Sequence, residues 1–140
     1  MRRLRTTRVW AVSLVFAGGT LGCAAREALS LLLPAGDGFP ATIFAINLTG
    51  AFLLGLLLNA LAGHSPDTGA RRGVRLFFGT GVLGGYTTYS ALATDTALLI
   101  GGGRTGLGIL YAIATVSLGG IMTWLGMMLA TLLRRPREQR

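Results

Sequence analysis

The chain alternates long apolar stretches with connections of only a few residues, and that rhythm constrains it more than any single motif. Apolar stretches run at about 9–33, 40–63, 74–100 and 105–133, each at or above the roughly 20 residues that cross a bilayer as a helix. A soluble fold of 140 residues needs a charged exterior that this sequence lacks, since 51% of residues are apolar, 13% are charged and the mean hydropathy is +0.61. The reading is an all-α integral membrane protein, a single transmembrane domain over residues 1–140 with four transmembrane helices. The start, MRRLRTTRVWAVSLVFAGGTLGCAA, also has the basic, apolar and small-residue order of a signal peptide. The apolar pattern resumes at LSLLL, which favours a retained first span. Cys23, the single cysteine, excludes an internal disulfide and reads as a small apolar packing residue.

All thirteen basic residues are arginine, and they are unevenly spread. Arg2, Arg3, Arg5 and Arg8 precede the first stretch, Arg71, Arg72 and Arg75 lie between the second and third, and Arg134, Arg135, Arg137 and Arg140 follow the fourth. The other two connections, PAGDGF and GGGRTG, offer only Arg104. By the positive-inside rule, both termini and the second loop face the cytoplasm. A basic balance arranged this way needs no nucleic-acid partner, because the runs are short, lack interleaved aromatics and abut membrane spans.

Small residues four apart recur at Gly18/Gly22, Ala51/Gly55, Gly81/Gly85 and Thr115/Gly119, which is close-packing chemistry for membrane helices. Helix packing does not account for GVLGGYTTYSALATD at positions 81–95. Gly84-Gly85 followed by Tyr86-Thr87-Thr88 would sit near mid-membrane, where a broken backbone is tolerated only if its freed polar groups find partners. Two readings fit: a continuous helix softened by glycine, or a break whose exposed carbonyls suit a hard cation. Thr87, Thr88 and Ser90 supply hydroxyls here, and Asn47, Tyr111 and Thr115 add polar groups from other spans. These groups either hold helices together or line a pore. The apolar stretches contain no lysine, histidine or cluster of carboxylates, so an amide and hydroxyls without buried countercharge suit a small anion better than a proton-coupled cation. Arg26 and Glu27, and Asp95 in the third stretch, are either interfacial anchors or vestibule charges. His64, in GHSPDTGARRG, reads as a solvated loop residue. No nucleophile–base arrangement, metal-ligand spacing or phosphate loop is present, so enzyme chemistry has no candidate.

These residues resemble the Fluc, or CrcB, family of fluoride channels over nearly the whole chain. Gly18, Gly19, Gly22 and Arg26 match the family's Gly-Gly-x-x-Gly-x-x-x-Arg, and Thr42, Asn47, Gly50, Phe52 and Gly55 match its second-span pattern. The 81–95 stretch resembles its Gly-x-x-Gly-Gly-x-Thr-Thr-Phe-Ser-Thr-Phe followed by an acid. The resemblance implies an antiparallel, dual-topology dimer of four-helix subunits, with the third helix broken near mid-membrane and two fluoride pathways. It further implies a structural Na⁺, not transported, on the backbone carbonyls of Gly84 and Thr87 from both subunits. Asn47, Tyr89, Ser90, Leu92, Tyr111 and Thr115 would line the pore, with Arg26 and Asp95 at a vestibule or as anchors. The function implied is passive, fluoride-specific export across the bacterial cell inner membrane.

Three departures stand out: Tyr89 and Leu92 replace phenylalanines and Ala91 replaces a threonine. Leu92 has no ring edge and Ala91 no hydroxyl, so a pathway needing both from this chain is impaired. With the arginine bias, this points to a related four-span chain of opposite orientation as partner in a heterodimer, with a homodimer as the alternative. Two other functions share parts of this pattern: a non-conducting partner subunit, and a small multidrug-resistance-type exporter. The exporter needs a lone membrane carboxylate, and its only candidate, Glu27, is neutralised by adjacent Arg26.

Overall fold

A computed structural model describes residues 2–34, 36, 38–62 and 68–134 of the chain, with side chains from residue 8 onward. His64 lies outside the described residues, as do the side chains of Arg2, Arg3, Arg5, Arg135, Arg137 and Arg140. Everything regular among the described residues is helical: α1 (Arg2–Leu32), α2 (Ala41–Leu61), α3 (Gly69–Val74), a π-helical segment (Arg75–Leu83), α4 (Gly84–Tyr86), α5 (Tyr89–Gly101) and α6 (Thr105–Leu133). Among the described residues, three helices are long and apolar enough to cross a membrane, Arg8–Leu32, Ala41–Leu61 and Thr105–Leu133. Large apolar side chains such as Phe16, Leu32, Val116 and Leu133 stand on the outside, where lipid or another subunit must cover them. The chain is a multi-pass membrane protein.

Helix ends follow local chemistry. Pro40 immediately precedes α2, where its missing N–H costs nothing. After α5 the chain turns through Gly102 and Gly103, and Gly103 has φ +77°, a conformation that glycine alone adopts freely.

Two seams hold the helices together, and both depend on the absence of a side chain. A Cβ on Gly18 would lie 2.3 Å from the Phe77 carbonyl oxygen, one on Gly22 2.0 Å from that of Val82, and one on Gly85 2.4 Å from that of Gly19. The backbones of α1 and of the π-helical and α4 segments therefore touch directly, the mode of association expected where lipid removes any hydrophobic drive between helices. In the second seam, a Cβ on Gly55 would meet the Thr123 carbonyl oxygen at 2.1 Å and one on Gly126 that of Phe52 at 2.1 Å, so α2 lies tightly along α6. Gly119, expected to pack closely with Thr115, instead has nothing within 4 Å of a Cβ position, and Gly126 takes the packing role two turns on. Cys23, expected as a packing residue, is exposed on α1.

A small enclosed core sits where α2, α5 and α6 meet. Tyr111 is wholly buried beside Leu92 and Leu99. Its ring meets Phe39 edge-on at 5.4 Å and 89°, and Phe39 meets Phe44 at 5.1 Å and 73°, the favoured geometry for ring quadrupoles.

The arginines of the second connection share one end of the bundle with the start of α1 and the end of α6. Trp10 lies against Gly73, and Arg134 donates to the carbonyls of Ala60 and Ala62 at the end of α2. Arg104 is at the other end, near Gly38.

Candidate functional site

The backbone leaves helical geometry at two consecutive residues, Thr87 (φ −77°, ψ 156°) and Thr88 (φ −149°, ψ 120°). Both glycines of Gly84-Gly85 remain helical. The glycine pair is thus not where the chain unwinds. Gly85 is small because the Gly19 carbonyl presses on it.

Two extended residues change the partners of the groups around them. In an uninterrupted α-helix each N–H returns to the carbonyl four residues earlier. Thr88 N–H would then close on Gly84, Tyr89 N–H on Gly85 and Ala91 N–H on Thr87. Instead Thr88 N–H donates to Asn47 Oδ1 at 2.8 Å, and Asn47 Nδ2 donates to the Thr88 carbonyl at 3.1 Å. The primary amide thus mimics a paired strand and satisfies both backbone groups of one unwound residue. Ala91 N–H donates to Thr88 Oγ1 at 3.1 Å, which makes Thr88 the N-cap of α5. The Gly85 carbonyl accepts from Arg26 Nε at 3.3 Å. The donors that would have closed on Gly84 and Thr87 are therefore held elsewhere by side chains. On the near side, Thr87 N–H and Oγ1 both donate to the Leu83 carbonyl, at 3.0 and 2.9 Å, and terminate the preceding turn.

Gly50 of α2 forms the floor beneath this interruption, since a Cβ there would lie 2.2 Å from Thr87 Cγ2. Thr49 Oγ1 stands 3.2 Å from the Tyr86 hydroxyl, a second polar tie between α2 and the segment.

The residues singled out from the sequence fall into three places. Gly84, Thr87, Asn47, Ser90 and Arg26 gather at the interruption, with Ser90 Oγ 3.1 Å from Thr88 Oγ1. Tyr89, 80% exposed, projects away from the chain one residue beyond it. Leu92, Tyr111 and Thr115 lie inside: Leu92 in the core cluster, Thr115 with its hydroxyl donating to the Tyr111 carbonyl at 2.7 Å. The Tyr111 hydroxyl donates to Asp95 Oδ2 at 3.3 Å. Asp95 in turn opens on a cavity of about 530 Å³ bordered by Gly38, Pro40, Leu99 and Arg104, which joins Asp95 to Arg104 but not to Arg26. The capping role of Thr88 was not anticipated. Its signal was a threonine placed before a resumed apolar run, the ordinary mark of a helix start.

Among the described residues, no group of three or more His, Cys, Asp or Glu side chains is placed to hold a metal. The oxygen donors gathered at the interruption are backbone carbonyls and hydroxyls, a hard donor set of the kind that suits an alkali or alkaline-earth cation rather than a transition metal.

Residues 13–127 match the family model described as CrcB-like protein, Camphor Resistance (CrcB). The chain is 57% identical over 106 residues to fluoride-specific ion channel FluC 2 of Leifsonia xyli subsp. xyli, covering 76% of this chain and 73% of that one. It is 45% identical over 114 residues to fluoride-specific ion channel FluC 1 of Cutibacterium acnes, covering 81% and 80%. Over 120 residues it is 41% identical to fluoride-specific ion channel FluC 1 of Streptomyces coelicolor, covering 85% and 76%. With the matched residues reaching from α1 to α6 and enclosing the Thr87–Thr88 interruption, this chain belongs to the CrcB family.

Proposed function

We propose that this chain is a subunit of a fluoride-specific channel that lowers cytoplasmic fluoride by passive export. The observation that carries the reading is its 57% identity to a relative named for that activity, and the arrangement at Thr87–Thr88 supplies suitable chemistry. Fluoride is small and strongly hydrated, so a pathway must replace water with hydrogen-bond donors and positive ring edges. Asn47 keeps one amide proton beyond the one given to Thr88, Ser90 Oγ stands beside Thr88 Oγ1, and the Tyr89 ring is exposed one residue beyond. Tyr111 and Thr115 lie behind that surface, their hydroxyl protons committed to Asp95 and to the Tyr111 carbonyl. Arg104 and Asp95 border a vestibule, and Arg26 anchors the interruption.

In this reading the segments from α3 to α5 form a fourth membrane span, broken at the two threonines. A Na⁺ would be held by the carbonyls of Gly84 and Thr87 from two antiparallel subunits. The observed donor set fits it: the helical donors to both carbonyls are engaged elsewhere, and Gly84 is exposed with nothing within 4 Å of a Cβ position. Such an ion supplies a fixed positive charge at the centre of the assembly and ties two subunits together.

The partner is a related chain of opposite orientation. Cytoplasm-assigned segments carry eleven arginines against Arg104 alone in the other loops, with both termini in the cytoplasm of a bacterial inner membrane; such a bias fixes one orientation. Relatives numbered FluC 1 and FluC 2 accord with paired chains. A second reading, a partner subunit that does not itself conduct, is favoured by Leu92, whose side chain is buried within this chain and lacks a ring. Fluoride efflux from liposomes tests both. Efflux that needs a related chain beside this one, with chloride excluded and no imposed proton gradient, supports the heteromeric channel. Robust efflux by this chain alone removes the heterodimer, and equal passage of chloride removes the selective channel.

A further inference from the structure

Breaking a helix inside a membrane releases donors as well as acceptors, and the released donors are the hazard for a cation site. A free N–H next to a carbonyl set repels a cation and competes for the same oxygens. The two donors at risk here are Thr88 N–H and Ala91 N–H, since an α-helix would return them to Gly84 and Thr87, the two carbonyls proposed as ligands. One is taken by Asn47 Oδ1 at 2.8 Å and the other by Thr88 Oγ1 at 3.1 Å. Asn47 also grips the Thr88 carbonyl at 3.1 Å, which holds that peptide turned away from helical geometry. Gly50 leaves room for α2 to come close enough for the amide to reach.

We infer that Asn47 and Thr88 are positioning residues for the cation site, holding away the N–H groups of Thr88 and Ala91 so that the carbonyls of Gly84 and Thr87 stay open. This rests on the proposed Na⁺ and gives Asn47 a task separate from lining a fluoride path. The two tasks have different signatures. A pore-lining amide affects fluoride flux and leaves Na⁺ affinity alone; a purely structural one lowers stability equally with and without Na⁺. A positioning residue changes the Na⁺ concentration at which stabilisation is half complete.

The experiment is thermal unfolding of the full-length chain in the detergent-purified assembly it forms when expressed together with a related four-span chain of opposite orientation, titrated with NaCl against choline chloride at constant ionic strength. Wild type should rise in Tm with a saturable Na⁺ midpoint. Asn47→Ala and Thr88→Val should raise that midpoint by about ten- to a hundredfold, the usual effect of losing an outer partner of a ligand. Thr88→Ser, which retains the capping oxygen, should keep it within about threefold of wild type on the same scale. A wild type without any Na⁺-dependent rise would overturn the Na⁺ reading itself. A wild type that responds while Asn47→Ala and Thr88→Val keep its midpoint would overturn the positioning roles and leave the Na⁺ reading standing.

Discussion

The seam between α1 and the π-helical and α4 segments and the interruption at Thr87–Thr88 lie within a few residues of each other and are held by opposite means. In the seam, Gly18, Gly22, Gly81 and Gly85 bring backbone against backbone, and almost any side-chain atom would strike a carbonyl. At the interruption, side chains from α1, α2 and the segment itself take over hydrogen bonds that the helix has given up. The difference teaches how a helical segment can be opened locally without coming apart. Shape fixes where the segment sits, and hydrogen bonding then fixes which of its groups stay available. Failure of the first is a steric failure of the whole seam; failure of the second is partial and local.

The largest effect should come from Gly22→Val, whose Cβ would lie 2.0 Å from the Val82 carbonyl oxygen and 2.8 Å from Tyr86 N. Both are backbone atoms without room to move, so a loss of about 3 kcal/mol or more is expected. Gel filtration after detergent extraction should show little folded protein. Gly19→Ala is the matched control, because its nearest contact is the Gly81 carbonyl oxygen at 4.0 Å. Equal damage from both would mean that the close backbone contact at Gly22 does not govern the seam, since alanine is the better helix former at Gly19.

Gly50→Ala carries the steric logic to the interruption. Its Cβ would press on Thr87 Cγ2, at 2.2 Å, and about 1–3 kcal/mol should be lost in reversible unfolding. Adding Thr87→Ser removes that methyl and should restore most of the loss. A double variant no better than Gly50→Ala would put the strain elsewhere.

Tyr111→Phe removes one hydroxyl and leaves the ring among Phe39, Phe44 and Leu92. The lost bond to Asp95 should cost about 0.5–1.5 kcal/mol, and a double-mutant cycle with Asp95→Asn should show coupling of that order. Additive effects would mean that the 3.3 Å contact contributes nothing.

Gly119→Ala should be the mildest. Nothing lies within 4 Å of its Cβ position, so the helical gain of about 0.5–1 kcal/mol for alanine over glycine should appear. A clear loss would locate Gly119 against a second subunit.

The sequence disclosed the apolar stretches, the one-sided arginines and the neighbourhood of the interruption, because each depends on composition or on residues close in the chain. It misled at the scale of single residues. Gly84-Gly85 looked like the weak point since glycine is a poor helix former, yet packing against α1 keeps Gly85 helical and the chain unwinds at the threonines instead. Thr115/Gly119 had the spacing of a contact, but spacing alone does not say which helix face meets a neighbour, and Gly126 is the residue α2 touches. The nine-residue π-helical segment was not legible at all. Gly18 and Gly22 of α1, far away in the sequence, lie against its backbone, and nothing in RLFFGTGVL separates its wider turns from ordinary α-helical ones. Asn47 was recognised as an expensive amide to bury, while its partner lies 41 residues away in sequence.

Arg134 adds a matter of timing. Its guanidinium closes the last carbonyls of α2, and Asn59 reaches back to Thr131 and to the Met127 carbonyl, so the finish of one helix depends on the finish of another 74 residues later. At a synthesis rate of about 5–20 residues per second, roughly 4 to 15 seconds separate the two. Through that interval the carbonyls of Ala60 and Ala62 lack the Arg134 guanidinium. Asn59 and Arg134 therefore act as a latch, and the ends of α2 and α6 can be joined this way only after the last turn of α6 has been made.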